Sequence, residues 1–574
     1  MSESAAITAL FTEHIQSAPH PDNNYFALLR ALVAGRSSFI PSSAEYASWQ
    51  QAIEKVYGLI QDEIIHNLDR PVTPVKFGTS GWRGILGKDL FIRSVCQVTL
   101  AITDLYSDPE PEMAEALGVA SLGEARARGC VVGHDNRFGG GIMAQSVVDI
   151  LTGKGFKVYF AGESTTGVLS AALLELRAAF SINLTPSHNP LEYGGFKFNG
   201  ADGGPAAKII TDRITANAVK RIESGIHETP PPDPTLCEEI DSLAIWIDFV
   251  RKNTPRHHLD YDQIIDTFLA SPEMVIAVDS VHGASRKHIG RLFKNHECDR
   301  LILLRQENDP TFGGIAPEPS SANMAKVNEI LAARPEKLKL GMIIDPDADR
   351  IRFSDGIKEI EMNKFGAAAY HYLHVHKSLA GPVAKSVATS NFANAVATGL
   401  HDEVFESRVG FKEFKPVVGK ALVCFEESDG ISVIGHTPEK DAYIGLLLAI
   451  DMTLGLKKNI SAYISEIEAE FGAYYPDRDA FTVTSSGEEL TGKLALLKKF
   501  TPGTTLTIGS TAKKIASVID IDGTKLIFSD HSWLMIRPSG TEPKVRIYVE
   551  ARSSAGRREL ITAAGGLLKE AGVV

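Results

Sequence analysis

Between residues 71 and 474 short β-branched runs alternate with helical stretches, and that alternation confines the chain to parallel sheet joined by crossover helices. CVVGHD (130–135), KVYFAG (157–162) and FSINLT (180–185) read as strands, with QSVVDILTGKG (145–155) and LSAALLELRA (169–178) as helices between them. A Pro-rich segment, ETPPPDPTL (228–236), reads as a linker to a second α/β stretch with strands MVIAVDS (274–280), RLILLR (300–305) and LGMIID (340–345). A third stretch contains AKSVATS (384–390) and ALVCFEES (421–428). Beyond YYPDRDAFTV the strands crowd together, from LTIGS to VRIYVEA, and the helical RRELITAAGGLLKEA closes what reads as a separate α+β domain. The expected divisions are a helical segment 1–70, α/β domains 71–235, 236–357 and 358–474, and a C-terminal domain 475–574. In the leading segment Ile53, Val56, Ile60, Ile64 and Leu68 recur at helical spacing. Residues 1–70 carry no obvious chemistry, and an oligomer contact, such as that of a homodimer, is expected of the segment as a whole.

At 574 residues the chain exceeds what one hydrophobic core supports. Hydrophobic residues make up 44% and charged residues 23%, ordinary for a soluble globular protein. The net charge of −12 argues against non-specific binding of nucleic acid or an anionic membrane. It would also repel a phosphorylated substrate, so any phosphate site must be a local concentration of Arg and Lys. Cys96, Cys130, Cys237, Cys298 and Cys424 show no CxxC pair and read as unpaired thiols of a reducing cytosol. The start MSESAAITALFTEHIQ lacks the basic and apolar regions of a signal peptide. No apolar stretch nears the roughly 20 residues needed to cross a bilayer. A cytoplasmic protein is expected.

Four polar loops each follow an apolar strand, at the strand end where α/β sheets bind ligands. In LTPSHNP (184–190), followed by LEYGGFKFNG, Ser187 sits in a turn framed by two prolines that fix φ. Such a serine often only satisfies backbone groups, but His188 and Lys197 lie nearby as proton-transfer candidates. DPDADR (345–350) offers Asp345, Asp347 and Asp349 at spacing two, hard oxygen ligands suited to Mg²⁺. An EF-hand fails because Arg350 stands where Gly is needed and Gly356 where Glu is needed. CFEESDG (424–430), with PEKDAYIG (438–445) downstream, presents Glu426 and Ser428, able to hydrogen-bond sugar hydroxyls. RPSGTEPKVRIYVE (537–550) combines Arg537, Ser539, Gly540 and Thr541 with Lys544 and Arg546, the parts of a phosphate cradle. FGTSGWRG (77–84) adds Arg83 in a Gly-rich loop. Spread over all the expected domains, these loops suggest one central cleft, and the chemistry they fit is phosphoryl transfer. A kinase is disfavoured, since the chain has neither a G-x-x-x-x-G-K-[ST] loop nor the protein-kinase motif set. A metal-dependent sugar phosphatase and a silent sugar-phosphate binding protein are the competing classes.

From about Lys76 to Glu550 the sequence resembles the α-D-phosphohexomutase family, whose members carry a serine, a metal, a sugar and a phosphate loop in this order. Thr185 to Pro190 match the serine loop, Asp345, Asp347, Asp349 and Arg350 the metal loop, and Arg537 to Pro543 the phosphate loop. KFGTSGWRG, TPSHNPLEYGGFKFN and VGFK (409–412) look most like the bacterial phosphoglucomutase branch. The sugar loop departs from the family's G-G-E-x-S-G, with Phe425 and Asp429 in place of glycines and Gly430 where some relatives carry a proton-transferring histidine. The resemblance implies three similar α/β domains with mixed sheets plus a C-terminal α+β domain around a central cleft. It further implies a phosphoserine at Ser187 and Mg²⁺ on Asp345, Asp347, Asp349 and the Ser187 phosphate. Glucose 1-phosphate and glucose 6-phosphate would interconvert through glucose 1,6-bisphosphate, with phosphomannomutase or phosphoglucosamine mutase as the alternatives within the family. Arg83, Arg350 and His188 would serve the reacting centre, and Lys197, its pKa lowered by clustered cations and burial, would be the general acid/base. Glu426, Ser428, Lys412, Lys440, Arg537, Ser539, Gly540, Thr541 and Arg546 would bind substrate.

Overall fold

The computed structural model describes residues 3–17, 22–78, 81–226, 230–485, 487–539 and 544–574. Three of its sheets repeat one plan. In the first, the strand Cys130–His134 lies between the parallel strands Val158–Glu163 and Phe180–Leu184, and Tyr193–Gly200 returns antiparallel beside the latter. In the second, Met274–Asp279 lies between Leu301–Leu304 and Leu338–Ile344, with Ile351–Ser354 antiparallel. In the third, Val383–Ser386 lies between Val404–Ser407 and Val423–Glu426, with Gly430–Val433 antiparallel. Met274–Asp279 and the end of Leu338–Ile344 are buried on both faces, which is why they read as continuous apolar runs rather than alternating ones.

The connection from the third to the fourth strand of each unit is, in turn, the serine loop, the metal loop and the sugar loop. Each reverses through a non-glycine residue in the left-handed region: Ser187 at φ 61°, Ala348 at 52° and Asp429 at 72°. That conformation costs roughly 1–2 kcal/mol for a residue with a Cβ, so the surroundings must impose it.

Further strands widen two of the sheets. Trp82–Ile85 adds beside Tyr193–Gly200, and Cys237–Glu239, just past the Pro-rich segment, adds beside Val158–Glu163. The two-residue strand Glu359–Ile360 adds beside Ile351–Ser354. The C-terminal domain is an antiparallel sheet in the order Tyr475–Thr482, Lys544–Ala551, Trp533–Pro538, Thr524–Phe528, Thr511–Ile519 and Thr505–Ile508. The helix Ser554–Glu570 buries Leu560, Ala564, Leu567 and Leu568 against it. The chain is thus three α/β domains with mixed sheets plus a C-terminal α+β domain.

Ahead of these lie the helices Glu3–His14, Tyr25–Arg36 and Ala44–His66. The Ser43 hydroxyl caps the third by accepting the Tyr46 N–H. The second and third pack closely, since a Cβ on Gly35 would come within 2.3 Å of the Trp49 ring. Ile53, Val56, Ile60 and Ile64 are buried as their spacing predicts, but Leu68 lies beyond the helix end and is 71% exposed. The buried residues join the core of the first α/β domain, together with Trp82, Leu90 and Val147. The chain itself therefore covers this stripe. Among the described residues no helix is long and apolar enough to cross a membrane.

Candidate active site

Ser187 is 1% exposed, and its Oγ donates to Asp345 Oδ2 at 2.7 Å, with Asp349 Oδ1 at 3.4 Å and His188 Nδ1 at 3.2 Å. Sequence-distant loops thus meet at one hydroxyl. The metal-loop carboxylates are buried and offer ligand atoms within 4.8 Å of one another. Each has one oxygen tied by protein donors. Asp345 Oδ1 accepts the backbone N–H of Asp349 and of Arg350, both at 3.0 Å. Asp347 Oδ2 accepts Lys197 Nζ at 2.6 Å and Thr166 Oγ1 at 2.7 Å. Asp349 Oδ2 accepts Lys197 Nζ at 2.7 Å and lies 3.1 Å from Lys440 Nζ. The other oxygens of Asp345 and Asp349 face the serine hydroxyl, and Asp347 Oδ1 is buried without a partner. A buried carboxylate oxygen without a donor is costly unless a cation meets it. The donor set, all hard oxygen, fits Mg²⁺.

The electrostatics follow from crowding. Burial and the neighbouring charges of Asp347 and Asp349 push Asp345 well above the usual carboxylate range. Burial opposes ionisation of Asp349 too, but Lys197, Lys440 and Arg350 outweigh it and hold Asp349 well below that range. Burial, Arg350 and Arg83 hold His188 well below the ordinary imidazole value, so its imidazole is neutral near pH 7. Lys197 corrects an expectation. Burial does press its pKa down, but Asp347, Asp349 and Glu439 dominate and raise it above the ordinary lysine value. The cations expected to lower it are outnumbered by carboxylates some 150 residues away.

The third domain closes the site. Lys440 runs over Gly430, where a Cβ would come within 2.4 Å of its Cδ. Histidine could not stand at 430 without displacing that chain. Glu426 is 4% exposed, accepts the Gly410 N–H at 2.7 Å, and is raised to about 7 by burial and by Glu427. Ser428 is partly exposed beside it, and Lys412 is half-buried in the turn Phe411–Val417. The Ile351 N–H donates to the Asp429 carbonyl at 2.9 Å and Arg352 pairs with the Asp429 carboxylate at 2.8 Å, which ties metal loop to sugar loop. Arg350 lies 3.6 Å from Asp349, and Arg83 lies in the strand Trp82–Ile85 opposite Gly195.

In the C-terminal domain Arg537 stands directly opposite Arg546 on paired strands. Like charges so placed repel, so the pair suits an anion between them. Arg537 Nε donates to Asp522 Oδ2 at 2.8 Å, and the Ser539 N–H donates to the Lys544 carbonyl at 2.8 Å. Gly540 and Thr541 lie outside the described residues. The domain docks on the third through Trp533, Met535 and Tyr548 packed on Val387 and Ala388, and Arg478 donates to the Glu427 carbonyl at 3.4 Å.

Three supporting residues went unnoticed in the sequence: Asp135 and Arg137 in HDNRFGG, and Thr166 in ESTTG. Both segments follow strands of the first sheet, the same signal that marked the other loops.

Fold and site together define a four-domain phosphoryl-transfer enzyme built around a buried serine and an acidic triad. Comparison with known proteins narrows this. Domain profiles of phosphoglucomutase/phosphomannomutase match throughout: alpha/beta/alpha domain I at 74–224, domain II at 257–357, domain III at 361–471 and the C-terminal domain at 493–563. The chain belongs to this family, the α-D-phosphohexomutases, intramolecular phosphotransferases of carbohydrate metabolism. It is similar to the phosphoglucomutase/phosphomannomutase of Thermococcus kodakarensis, at 24% identity over 86% of this chain and 98% of the relative. It is also similar to the cytoplasmic phosphoglucomutase of Pisum sativum, at 26% identity over 75% of this chain and 85% of the relative. The solved structure of a phosphoglucomutase/phosphomannomutase family protein from Burkholderia thailandensis shares the fold, with a TM-score of 0.67 at 19% identity over 87% of this chain and 98% of that one.

Proposed function

We propose that the protein is a phosphoglucomutase that interconverts glucose 1-phosphate and glucose 6-phosphate through a phosphoryl group carried on Ser187. The observation that carries the reading is the Ser187 hydroxyl, buried and 2.7 Å from Asp345 at the edge of the triad. Asp345, Asp347 and Asp349 would each give one oxygen to Mg²⁺, which when bound offsets their charge and that of the phosphoryl group. In the first half-reaction the bond from Ser187 Oγ to phosphorus breaks, the free sugar hydroxyl bonds to phosphorus, and its proton passes to Ser187 Oγ. In the second, the bond between the other phosphate of glucose 1,6-bisphosphate and its sugar oxygen breaks, Ser187 Oγ bonds to phosphorus, and the Ser187 proton passes by way of neutral His188, 3.2 Å away, to the departing sugar oxygen. Lys197, engaged by two carboxylates, orients the triad in this scheme rather than exchanging protons. Glu426 and Ser428 would bind sugar hydroxyls in both orientations of the bisphosphate. Arg537, Ser539 and Arg546, with Gly540 and Thr541, would grip the phosphate that is not transferring. Lys412 and Lys440 would add positive charge at the sugar.

What supports glucose is the VGFK turn and the likeness to the pea phosphoglucomutase; the likeness to the Thermococcus enzyme supports mannose as a second substrate. The test incubates the protein with glucose 1,6-bisphosphate labelled in both phosphates and then assays glucose, mannose and glucosamine 1-phosphates. Label on Ser187, absent from Ser187→Ala, and fastest turnover of glucose 1-phosphate are expected. Full turnover by Ser187→Ala refutes the carrier, and preference for another sugar refutes glucose.

A further inference from the structure

Behind the serine loop a single buried side chain holds its backbone. Arg137 Nη1 donates to the carbonyls of Pro190 at 2.7 Å and Tyr193 at 3.3 Å, and Nη2 donates to those of Ser187 at 2.8 Å and Asn189. One guanidinium fork thus gathers four carbonyls of the loop. Asp135 pins the same loop at its entry: it accepts the Thr185 hydroxyl at 2.6 Å, and Thr185 Oγ1 accepts the Ser187 N–H at 2.9 Å. Asp135 and Arg137 thus hold, from both ends, the segment in which Ser187 takes its left-handed φ of 61°.

Arg137 is itself backed from outside its domain. Its guanidinium carbon lies 4.9 Å from the ring centre of Phe312, a fully buried residue of the second domain with φ 54°. Asp309 fixes that segment by accepting the Thr311 N–H at 2.8 Å and the Gly313 N–H at 3.1 Å. The N-terminal helices close over both. A Cβ on Gly314 would come within 2.8 Å of Val33, and one on Gly139 within 2.6 Å of Ile64. The Tyr57 ring lies 4.4 Å from that of Phe138, next to Arg137, and Arg30 pairs with Glu192 of the serine loop at 2.8 Å. These helices precede residue 74, where the family profile begins.

We propose that Arg137 is a positioning residue for Ser187, and that the N-terminal helix pair is its buttress, pressing the second domain's Phe312 segment and Phe138 against it. The inference rests on Ser187 as phosphoryl carrier for its catalytic meaning, though not for its structural one. The experiment compares the full-length wild type with Arg137→Ala, Arg137→Lys, Phe312→Leu and Tyr57→Leu. It measures hydrogen exchange of the amides from Ser187 to Tyr193, the rate of phosphate uptake on Ser187 from glucose 1,6-bisphosphate, and KM for glucose 1-phosphate.

Phe312→Leu and Tyr57→Leu, which keep apolar volume and are expected to fold, should speed exchange in that loop about tenfold and slow phosphate uptake and kcat by about as much, with KM within about twofold. Arg137→Lys should resemble Arg137→Ala, because an ammonium lacks the fork. Wild-type protection of the loop in Phe312→Leu and Tyr57→Leu overturns the proposal. So does faster exchange spread evenly over the first domain, or rescue of uptake by Arg137→Lys. If the wild type takes no phosphate on Ser187, the carrier reading falls while the exchange data still decide the clasp.

Discussion

Thr166→Val should weaken Mg²⁺ binding without touching the metal. Thr166 opens the helix Thr166–Glu175, and its N–H donates to the Asp347 carbonyl at 2.8 Å while its hydroxyl donates to Asp347 Oδ2 at 2.7 Å. The hydroxyl proton can go nowhere else, since Thr166 Oγ1 accepts from Asn183 Nδ2 at 3.0 Å and from Lys197 Nζ at 3.4 Å. Two donors thus bind Oδ2 and leave Oδ1, buried without a partner, as the atom that the proposed Mg²⁺ would meet. Valine keeps the shape and removes one donor. A hydrogen bond to a charged acceptor contributes about 1.5–3 kcal/mol, and losing an outer partner of a metal ligand typically costs about 10- to 100-fold in affinity. Because Lys197 still holds Oδ2 at 2.6 Å, the lower end applies, about tenfold. Calorimetric titration of Mg²⁺ without substrate and a coupled assay at graded Mg²⁺ should both show the shift, with kcat recovering at saturation and Thr166→Ser close to wild type. Unchanged Mg²⁺ affinity in a natively folded Thr166→Val, or a loss of kcat that excess Mg²⁺ does not restore, would refute the reasoning.

Three further outcomes are expected. Arg537→Ala should raise KM for the hexose phosphate by about 10- to 100-fold, the equivalent of one charged hydrogen bond of about 1.5–3 kcal/mol, with a smaller change in kcat; steady-state kinetics decide, and an unaltered KM removes the cradle. Gly430→Ala places a methyl 2.4 Å from Lys440 Cδ and should drive Lys440 from Asp349, lowering kcat; wild-type kinetics would show that the lysine is free to move. Lys525 is 1% exposed at the contact of the third and C-terminal domains, donates to the Val387 carbonyl at 2.8 Å and lies above the Trp533 ring, and burial with nearby Lys385 lowers its pKa to about 7. The unfolded chain binds that proton up to its ordinary value of about 10.4, so between the two values it holds more protons than the folded one and stability rises with pH. Thermal melting from pH 7 to 9 should show that rise in the wild type and lose it in Lys525→Met; parallel profiles would refute it.

The α/β alternation and the position of each loop were legible because both are local: a buried parallel strand is a continuous apolar run, and its carboxyl end is where polar residues collect. The acidic triad was legible as a cluster, since its spacing puts three carboxylates in one turn, where the structure brings their oxygens within 4.8 Å of one another. What stayed hidden depends on residues far apart in sequence. Thr166 means little until Asp347 arrives 181 residues later, and the raised pKa of Lys197 comes from carboxylates on two other domains. The strand Tyr193–Gly200 went unread because Gly194, Gly195 and Gly200 dilute its apolar pattern; Gly195 leaves no room for a side chain, as a Cβ there would meet the Thr185 carbonyl oxygen at 2.2 Å. Leu68 misled for the opposite reason, because spacing continued past the point where the helix stops.

The repeat of three α/β units resides in topology rather than in letters. SHN, DPDADR and EESDG share no pattern, yet each joins the third strand of its unit to an antiparallel fourth through one left-handed residue. A turn of this kind fixes where its side chains emerge and leaves their chemistry open. Once three such sheets bring their strand ends together, the three loops can diverge in sequence while remaining in register. The bonds from Ser187 to Asp345 and from Ile351 to the Asp429 carbonyl show neighbouring turns locked directly to each other. The conformation of one loop is therefore a boundary condition for the next, which is why residues such as Arg137 and Thr166, set behind the loops, are expected to govern a centre they do not enter.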